Sequence, residues 1–367
     1  MSTTRGPRGV FQADVLVVGG GLIGLACATE VARAGLRVRV ISAREPGAAS
    51  AASAGILAPS VGHSSAAARA LAIRARDLYP DYVRSLAERT GVDVPLDRAG
   101  VLEVALDEAD AHVLQASLDA QADWIDDREL RRLEPALAPA AGAAFHPDDG
   151  AVDARALLEA VRVDAERESR VSLADGRVVR VRPERRSITV VLENAERVEA
   201  AWVIVAAGAW AGGLAGLPRP LPVTPTRGQM LAFESAGLAH VVMGPHGYLV
   251  PRGNRTLAGS TMEDAGFDGG TTAEGAAILR DAAVGLSPAL AGRAPLEHWA
   301  GLRPMTPDLL PIVGPDPDYD GLVYACGHSK NGVLLAPLTA QVVAGLLGGE
   351  PAVDVAPYTP ARFGPSR

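Results

Sequence analysis

Two stretches of this chain carry residue types and spacings suited to chemistry. The first is Gly19, Gly21 and Gly24, the pattern Gly-x-Gly-x-x-Gly inside "VLVVGGGLIGLA". In a strand–turn–helix setting the first glycine allows a tight turn, the second lets a pyrophosphate approach the backbone, and the third lets helix and strand pack closely. The helix start then offers amide donors and a positive dipole end to the phosphates. This is a dinucleotide site. An acidic residue for the ribose belongs near the end of the second strand, about 20 residues on. Ser42 stands there instead, followed by Ala43, Arg44 and Glu45. Ser42 or Glu45 could accept from the sugar, and Arg44 could reach the sugar or the adenine side.

The second stretch is "ACGHSKNGVLLAP", Ala325 to Pro337. It holds Lys330, the only lysine among 35 basic residues. Either this ammonium supplies positive charge near a pocket, or it is a neutral replacement of arginine at a solvated position. The seven histidines show no metal-binding spacing, neither cysteine sits in a Cys-x-x-Cys pair, and no nucleophile elbow is present, so no metal is expected.

These residues need elements to hold them. "ADVLVVGGGLIGLACATEVARAGLRVRVIS" reads strand, tight turn, helix, strand. Val15–Val18 is a continuous apolar run, as in a strand covered on both faces. Gly35 is a natural helix stop. Asp153 is a candidate N-cap for a helix that follows "HPDDGAV". The stretch from Glu196 to Trp210 reads as a buried strand ending in small residues. From Pro222 to Trp299 the reading is mostly strand and turn. A last strand, "GLVYACG", leads into an apolar helix over Gly332–Leu347.

At 367 residues the chain suits about two domains. It is 48% hydrophobic with a net charge of −8, which excludes disorder and argues against nucleic acid as partner. Two cysteines make no disulfide framework. No signal core opens the chain, and Val15–Ala28 is too short to span a bilayer. The reading is a soluble cytoplasmic protein.

Further motifs follow in order: "SAASAGILAP" from Ser50, "VIVAAGAW" from Val203, "GYLVPR" from Gly247, "GSTM" from Gly259, and "WAGLRPMTPDLLPIVG" from Trp299. The small-residue runs would let backbone lie against a flat cofactor. With the glycine turn and the Gly-His segment, these motifs resemble the D-amino-acid oxidase superfamily of FAD-dependent amine oxidases. Within it the chain is most similar to the glycine oxidases (ThiO) of the thiamine pathway, from Asp14 to about Leu347.

The resemblance implies an α/β fold with a Rossmann-type FAD-binding domain and an inserted α+β substrate domain built on a mixed sheet. The FAD-binding domain would comprise residues 13–65, 146–225 and 300–362, and the substrate domain 66–145 and 226–299. Noncovalent FAD would be held by Gly19, Gly21, Leu22, Ile23 and Gly24, and by Ser42, Ala43 and Arg44. Ser53, Ala54, Gly55, Ile56 and Leu57 would add to these, with Val179, Ala206, Ala207, Gly208 and Trp210. Near the flavin ring would lie Arg303 and the segment Gly327, His328, Ser329, Lys330, Asn331, Gly332 and Val333.

Arg303 matches the arginine that pairs with the substrate carboxylate, a task suited to its planar fork. Tyr248 matches the tyrosine whose hydroxyl contacts the same carboxylate. His246, two residues earlier, would project to the same side and line the pocket. Met262 would be either pocket wall or plain core filler. Glycine oxidases commonly carry arginine where Lys330 stands; a lysine there would help hold the carboxylate or stabilise superoxide during flavin reoxidation. Cys326 is expected to be a small buried residue at a strand end. The implied reaction is oxidation of a small amino acid by hydride transfer to the flavin, with O2 as acceptor, in a homo-oligomer such as the tetramer found in the family.

Overall fold

A computed structural model of the chain describes residues 13–61, 65–118, 121–184 and 187–365. The buried run Val15–Val18 forms a strand paired in parallel with Val38–Ser42 on one side and Trp202–Val205 on the other. A six-stranded sheet grows around it, in the order Ile312–Pro315, Leu322–Cys326, Trp202–Val205, Val15–Val18, Val38–Ser42, Val171–Asp175. All neighbours are parallel except the first, antiparallel edge pair. A mostly parallel sheet must be covered on both faces. One face packs Val15 and Val17 against the helices Leu22–Arg33, Ala154–Arg167 and Gly332–Gly348, through Leu25, Val31, Leu157, Leu334 and Val343. Each such side chain, fully buried, is worth about 1.5–3 kcal/mol. The other face packs Leu16 and Val18 against an antiparallel meander, Val178–Pro183, Ile188–Leu192 and Arg197–Ala200.

Asp153 caps its helix: its carboxylate accepts from the Arg155 and Ala156 amides, both at 3.0 Å. The stretch Glu196–Trp210 is two strands in two different sheets rather than one, since Ala201 separates the end of the meander from Trp202–Val205.

The second large sheet has eight strands, in the order Glu297–Met305, Thr224–Glu234, Arg255–Gly259, Gly247–Arg252, Val241–Gly244, Val101–Ala105, Gly142–His146, Asp123–Asp126. It is mixed, with one parallel pair, Val241–Gly244 beside Val101–Ala105. Its two faces differ, as alternation along a strand requires. Leu231, Leu249, Val242 and Leu102 face a helix at Ala273–Leu286, through Leu279, Ala283 and Leu286. That helix stands where the sequence reads as strand and turn; its Ala and Gly content hides the apolar spacing. The opposite face carries Met230, Val250, Val241 and Val101 and looks toward the first sheet.

One grouping differs from expectation. The helices Ala66–Asp77 and Tyr79–Thr90 pack through Ala72, Tyr79 and Leu86 into the core of the six-stranded sheet, not onto the second sheet. The first lies against the C-terminal helix and the second against Ala154–Arg167. Among the described residues, no helix is long and apolar enough to cross a membrane.

Candidate active site

A cavity of about 850 Å³ runs between the two sheets. That is near the upper end of the roughly 300–1,000 Å³ typical of small-molecule sites. At one end lies the glycine turn. Gly19 has φ +111°, and a Cβ there would stand 2.4 Å from the Ala206 carbonyl oxygen. A Cβ on Gly24 would stand 1.9 Å from the Gly19 oxygen. Gly24 therefore seals the turn from behind and does not line the cavity, whereas Gly19, Gly21, Leu22 and Ile23 do. Gly21 gives the helix no side-chain cap, and no acidic residue occupies its first turn. The Leu22 amide instead donates to Ser50 Oγ at 3.1 Å.

Ser42 and Ala43 line the cavity, and Ser42 Oγ donates to the Ala43 carbonyl at 3.2 Å. Arg44 does not line it. Its side chain is 90% exposed and lies 3.7 Å from Asp175, because the strand has ended and the chain turns outward. Glu45 lines the wall instead, held by Arg177 at 2.8 Å. Ser53, Ala54, Gly55 and Ile56 face the cavity, as do Val179, Ala206, Ala207, Gly208 and Trp210. Leu57 turns away into the core.

The Gly-His segment closes the other end, with Gly327, His328, Ser329, Lys330, Asn331, Gly332 and Val333 all lining it. Gly327 and Ser329 take positive φ, +62° and +51°. The Ser329 amide donates to the Pro304 carbonyl at 2.9 Å, tying this segment to the strand that carries Arg303. His328 is buried, with Nε2 3.1 Å from Thr339 Oγ1. Burial pulls its pKa down to about 4, so the ring is neutral near pH 7. Asn331 supplies no side-chain cap to the following helix, whose first turn carries no acid. Lys330 is exposed on the cavity rim. Cys326 lines the wall from the strand end; burial pushes its thiol up to about 12, so it stays protonated.

The cavity wall on the eight-stranded sheet follows one register row. Met243 pairs with Tyr248, Tyr248 with Gly259, Gly259 with Met230, and Met230 with Trp299. Directly paired residues share a face. A Cβ on Gly259 would come within 2.5 Å of the Tyr248 ring, so only glycine lets the phenol lie across it. The Tyr248 hydroxyl lies 3.8 Å from Met230 Sδ. Arg303 lies across Gly228 in the same way, where a Cβ would meet its Nη1 at 2.0 Å. Arg303 Nη2 donates to Ser260 Oγ at 2.6 Å and Nη1 to the Thr261 carbonyl at 3.0 Å. No carboxylate of the described residues pairs with it. Arg227, by contrast, is bound by both Glu263 and Asp268. Arg303 is thus aimed by neutral groups and keeps its charge for something else.

Met262 is 62% exposed at the rim, its sulfur 3.6 Å from Arg303. His246 does not line the cavity. It is exposed in the two-residue turn between Val241–Gly244 and Gly247–Arg252, where strand alternation no longer applies. Residues the sequence reading passed over also face the cavity: Ser50, Met230, Met243, Ser260 and Phe267. Phe267 stacks on Trp210 with ring centroids 5.9 Å apart. Among the described residues no group of three or more His, Cys, Asp or Glu could hold a metal ion.

Two uncapped helix starts, a glycine cradle shaped for a close-lying backbone group, and a long cavity joining them suit an extended dinucleotide with a phosphate middle and a flat ring system. The comparisons agree. The family model for FAD dependent oxidoreductase, DAO, matches residues 14–346. The glycine oxidase of Pseudomonas aeruginosa is 36% identical, covering 95% of this chain and 98% of the relative. A bifunctional protein ThiO/ThiG of Synechocystis is 34% identical over 96% of this chain but 54% of its own length. The crystal structure of glycine oxidase from Geobacillus kaustophilus superposes with a TM-score of 0.89 at 33% identity, covering 95% of this chain and 98% of that one. The chain belongs to the FAD-dependent oxidoreductase (DAO) family. It is an enzyme whose cofactor is FAD.

Proposed function

We propose that this enzyme oxidises glycine or another small primary or secondary amino acid, passing the electrons to O2. The observation that carries the reading is Arg303: a guanidinium in the cavity wall, aimed by Ser260 and Thr261, with no carboxylate of the described residues paired to it. Its fork is matched to a substrate carboxylate, and Tyr248 adds a hydroxyl from the same sheet face. Held by two groups, the substrate has its α C–H set in one direction, which is the larger part of what the protein must contribute. Met230, Met243 and the Tyr248 ring keep water from the reacting end. Bound FAD, noncovalent given the buried protonated Cys326, supplies the hydride acceptor and returns the electrons to O2 as H2O2.

Among the described residues, no cavity-lining side chain is set up as a base: Glu45 is paired with Arg177, and His328 is buried, neutral and bonded to Thr339. The amino acid therefore enters with its amine already neutral and leaves as an imine. Water then converts the glycine imine to glyoxylate and ammonia. The likeness to the ThiO/ThiG proteins supports use of that imine in building the thiamine thiazole. Lys330 adds positive charge at the rim.

The test is anaerobic mixing of the yellow holoenzyme with glycine, sarcosine, D-alanine and D-proline while following flavin absorbance, then admitting air. Bleaching by glycine and recovery in air with peroxide is expected. Bleaching only by a bulkier amine moves the substrate. Bleaching without recovery in air overturns the oxidase assignment in favour of another electron acceptor, and no bleaching by any of them overturns the whole reading.

A further inference from the structure

The chain leaves the strand Arg255–Gly259 irregularly. Gly259 pairs with Met230, and the next pairing along the same edge joins Glu263 to Arg227. Three steps on one side thus oppose four on the other, so one extra residue is held between them as a bulge, a device that re-aims groups beside a site. The bulged segment supplies both groups that aim Arg303: Ser260 Oγ at 2.6 Å and the Thr261 carbonyl at 3.0 Å. The ladder is broken over these two residues, and Glu263 is what fixes them. Its backbone exchanges two hydrogen bonds with that of Arg227, both at 2.9 Å. Its carboxylate accepts from Arg227 Nε at 2.9 Å and Nη2 at 2.6 Å, and from Gln229 Nε2 at 2.7 Å. The Gln229 backbone amide in turn donates to Thr261 Oγ1 at 2.8 Å. Gln229 is fully buried, and its side-chain oxygen accepts from the Thr272 amide at 2.8 Å. Burial alone would raise the Glu263 carboxyl, but hydrogen bonds from Thr261, Arg227 and Gln229 outweigh it and hold the group below the ordinary carboxylate value. Ser260, Met262 and Arg303 line the cavity, whereas Arg227, Gln229 and Glu263 do not. The carboxylate therefore grips the segment from outside the cavity.

We propose that Glu263 is a positioning residue for Arg303: by pinning the bulge from outside the cavity, it fixes the two groups that set the direction of the guanidinium fork. This rests on the amino-acid oxidase reading. A bidentate pair needs the fork held within about 0.5 Å and 10–20° of its productive geometry. Without the carboxylate, Arg227 and Gln229 lose their shared acceptor, and the segment that carries Ser260 and Thr261 is released. A displacement of about 1 Å can cost on the order of a hundredfold in rate. The Glu263 side chain is 26% exposed, so water can reach the donors that a substitution leaves behind.

The experiment is a double-mutant cycle on FAD-loaded protein. Glu263→Gln and Glu263→Ala are each made in the unmodified protein and together with Arg303→Met, and the second-order rate constant for flavin reduction by glycine is read by anaerobic mixing. With Arg303 present it is expected to fall about ten- to a hundredfold for Glu263→Ala, and less for Glu263→Gln, which keeps an acceptor oxygen. With Arg303→Met the same changes alter it by no more than about twofold, because the group they position is gone. FAD affinity, titrated into apoprotein, stays the same throughout. A fall of equal size in both backgrounds, no fall with Arg303 present, or a loss of FAD affinity that matches the loss of rate overturns the positioning role and leaves the oxidase reading in place. If glycine does not reduce the flavin of the unmodified protein, that reading has failed. The positioning is then read from acetate, as the Kd obtained by perturbation of flavin absorbance. That Kd rises about tenfold or more in Glu263→Ala if Glu263 sets Arg303, and an unchanged Kd overturns the proposal.

Discussion

At the scale of single residues the site is governed by which charges are compensated. Arg227 and Arg303 lie on neighbouring strands, Arg303 paired with Thr226 beside Arg227, but they differ in company: the former is bound to Glu263 and Asp268, the latter, among the described residues, only to Ser260, Thr261 and the Met262 sulfur. Replacing Arg303 by Met keeps much of the stem and removes the fork. Loss of one partner of a buried charge-assisted pair costs about 2–5 kcal/mol. The expected result is a fall in kcat/KM for glycine of roughly thirty- to several-thousand-fold, with FAD content unchanged. Steady-state peroxide assays on flavin-loaded protein check this, and a variant within twofold of the parent would remove Arg303 from substrate binding.

At the scale of elements, the turn between Val15–Val18 and Leu22–Arg33 is built with no slack. A methyl on Gly24 would press on the Gly19 carbonyl oxygen, which is backbone and cannot rotate away. Overpacking of this kind costs about 1–3 kcal/mol, and here it distorts the phosphate cradle. Gly24→Ala is expected to purify with FAD affinity reduced about tenfold or more, read by titrating apoprotein with FAD; an unchanged Kd would contradict the geometry. This turn was legible because all its parts lie within a dozen residues. Ser50 was not, since its bond to the Leu22 amide spans 28 residues and depends on how the small-residue tract folds back. Ser260, likewise, meets Arg303 across 43 residues. His246 and Arg44 both lie just past a strand end: the two-residue alternation used to orient His246 stops there, and Arg44, placed only by its distance from the glycine turn, is carried outward as the chain leaves the strand. The Gly-His segment was legible as motif, but the neutral state of His328 is a product of its burial beneath the C-terminal helix.

At the scale of the whole molecule the cofactor is part of the interior. The cavity lies between the two sheets, and its walls come from the glycine turn, the small-residue tract, the Gly-His segment and the register row of Tyr248. A ligand that binds only the folded state stabilises it by RT ln(1 + [L]/Kd), about 2.7 kcal/mol at 100 times Kd. Apoprotein is therefore expected to melt several degrees below holoprotein, with Tm rising as FAD is added. Thermal melts across an FAD titration measure this; a Tm independent of FAD would mean that FAD does not bind the folded protein in preference to the unfolded chain.

The strand order has a last consequence. Strands of the six-stranded sheet come from 15–42, 171–205 and 312–326, and those of the eight-stranded sheet from 101–146 and 224–305, so the chain passes between them four times. No single cut of the chain separates the two sheets. A new specificity cannot be imported as one contiguous cassette. It has to be written, position by position, into side chains on a face that both halves of the molecule already share.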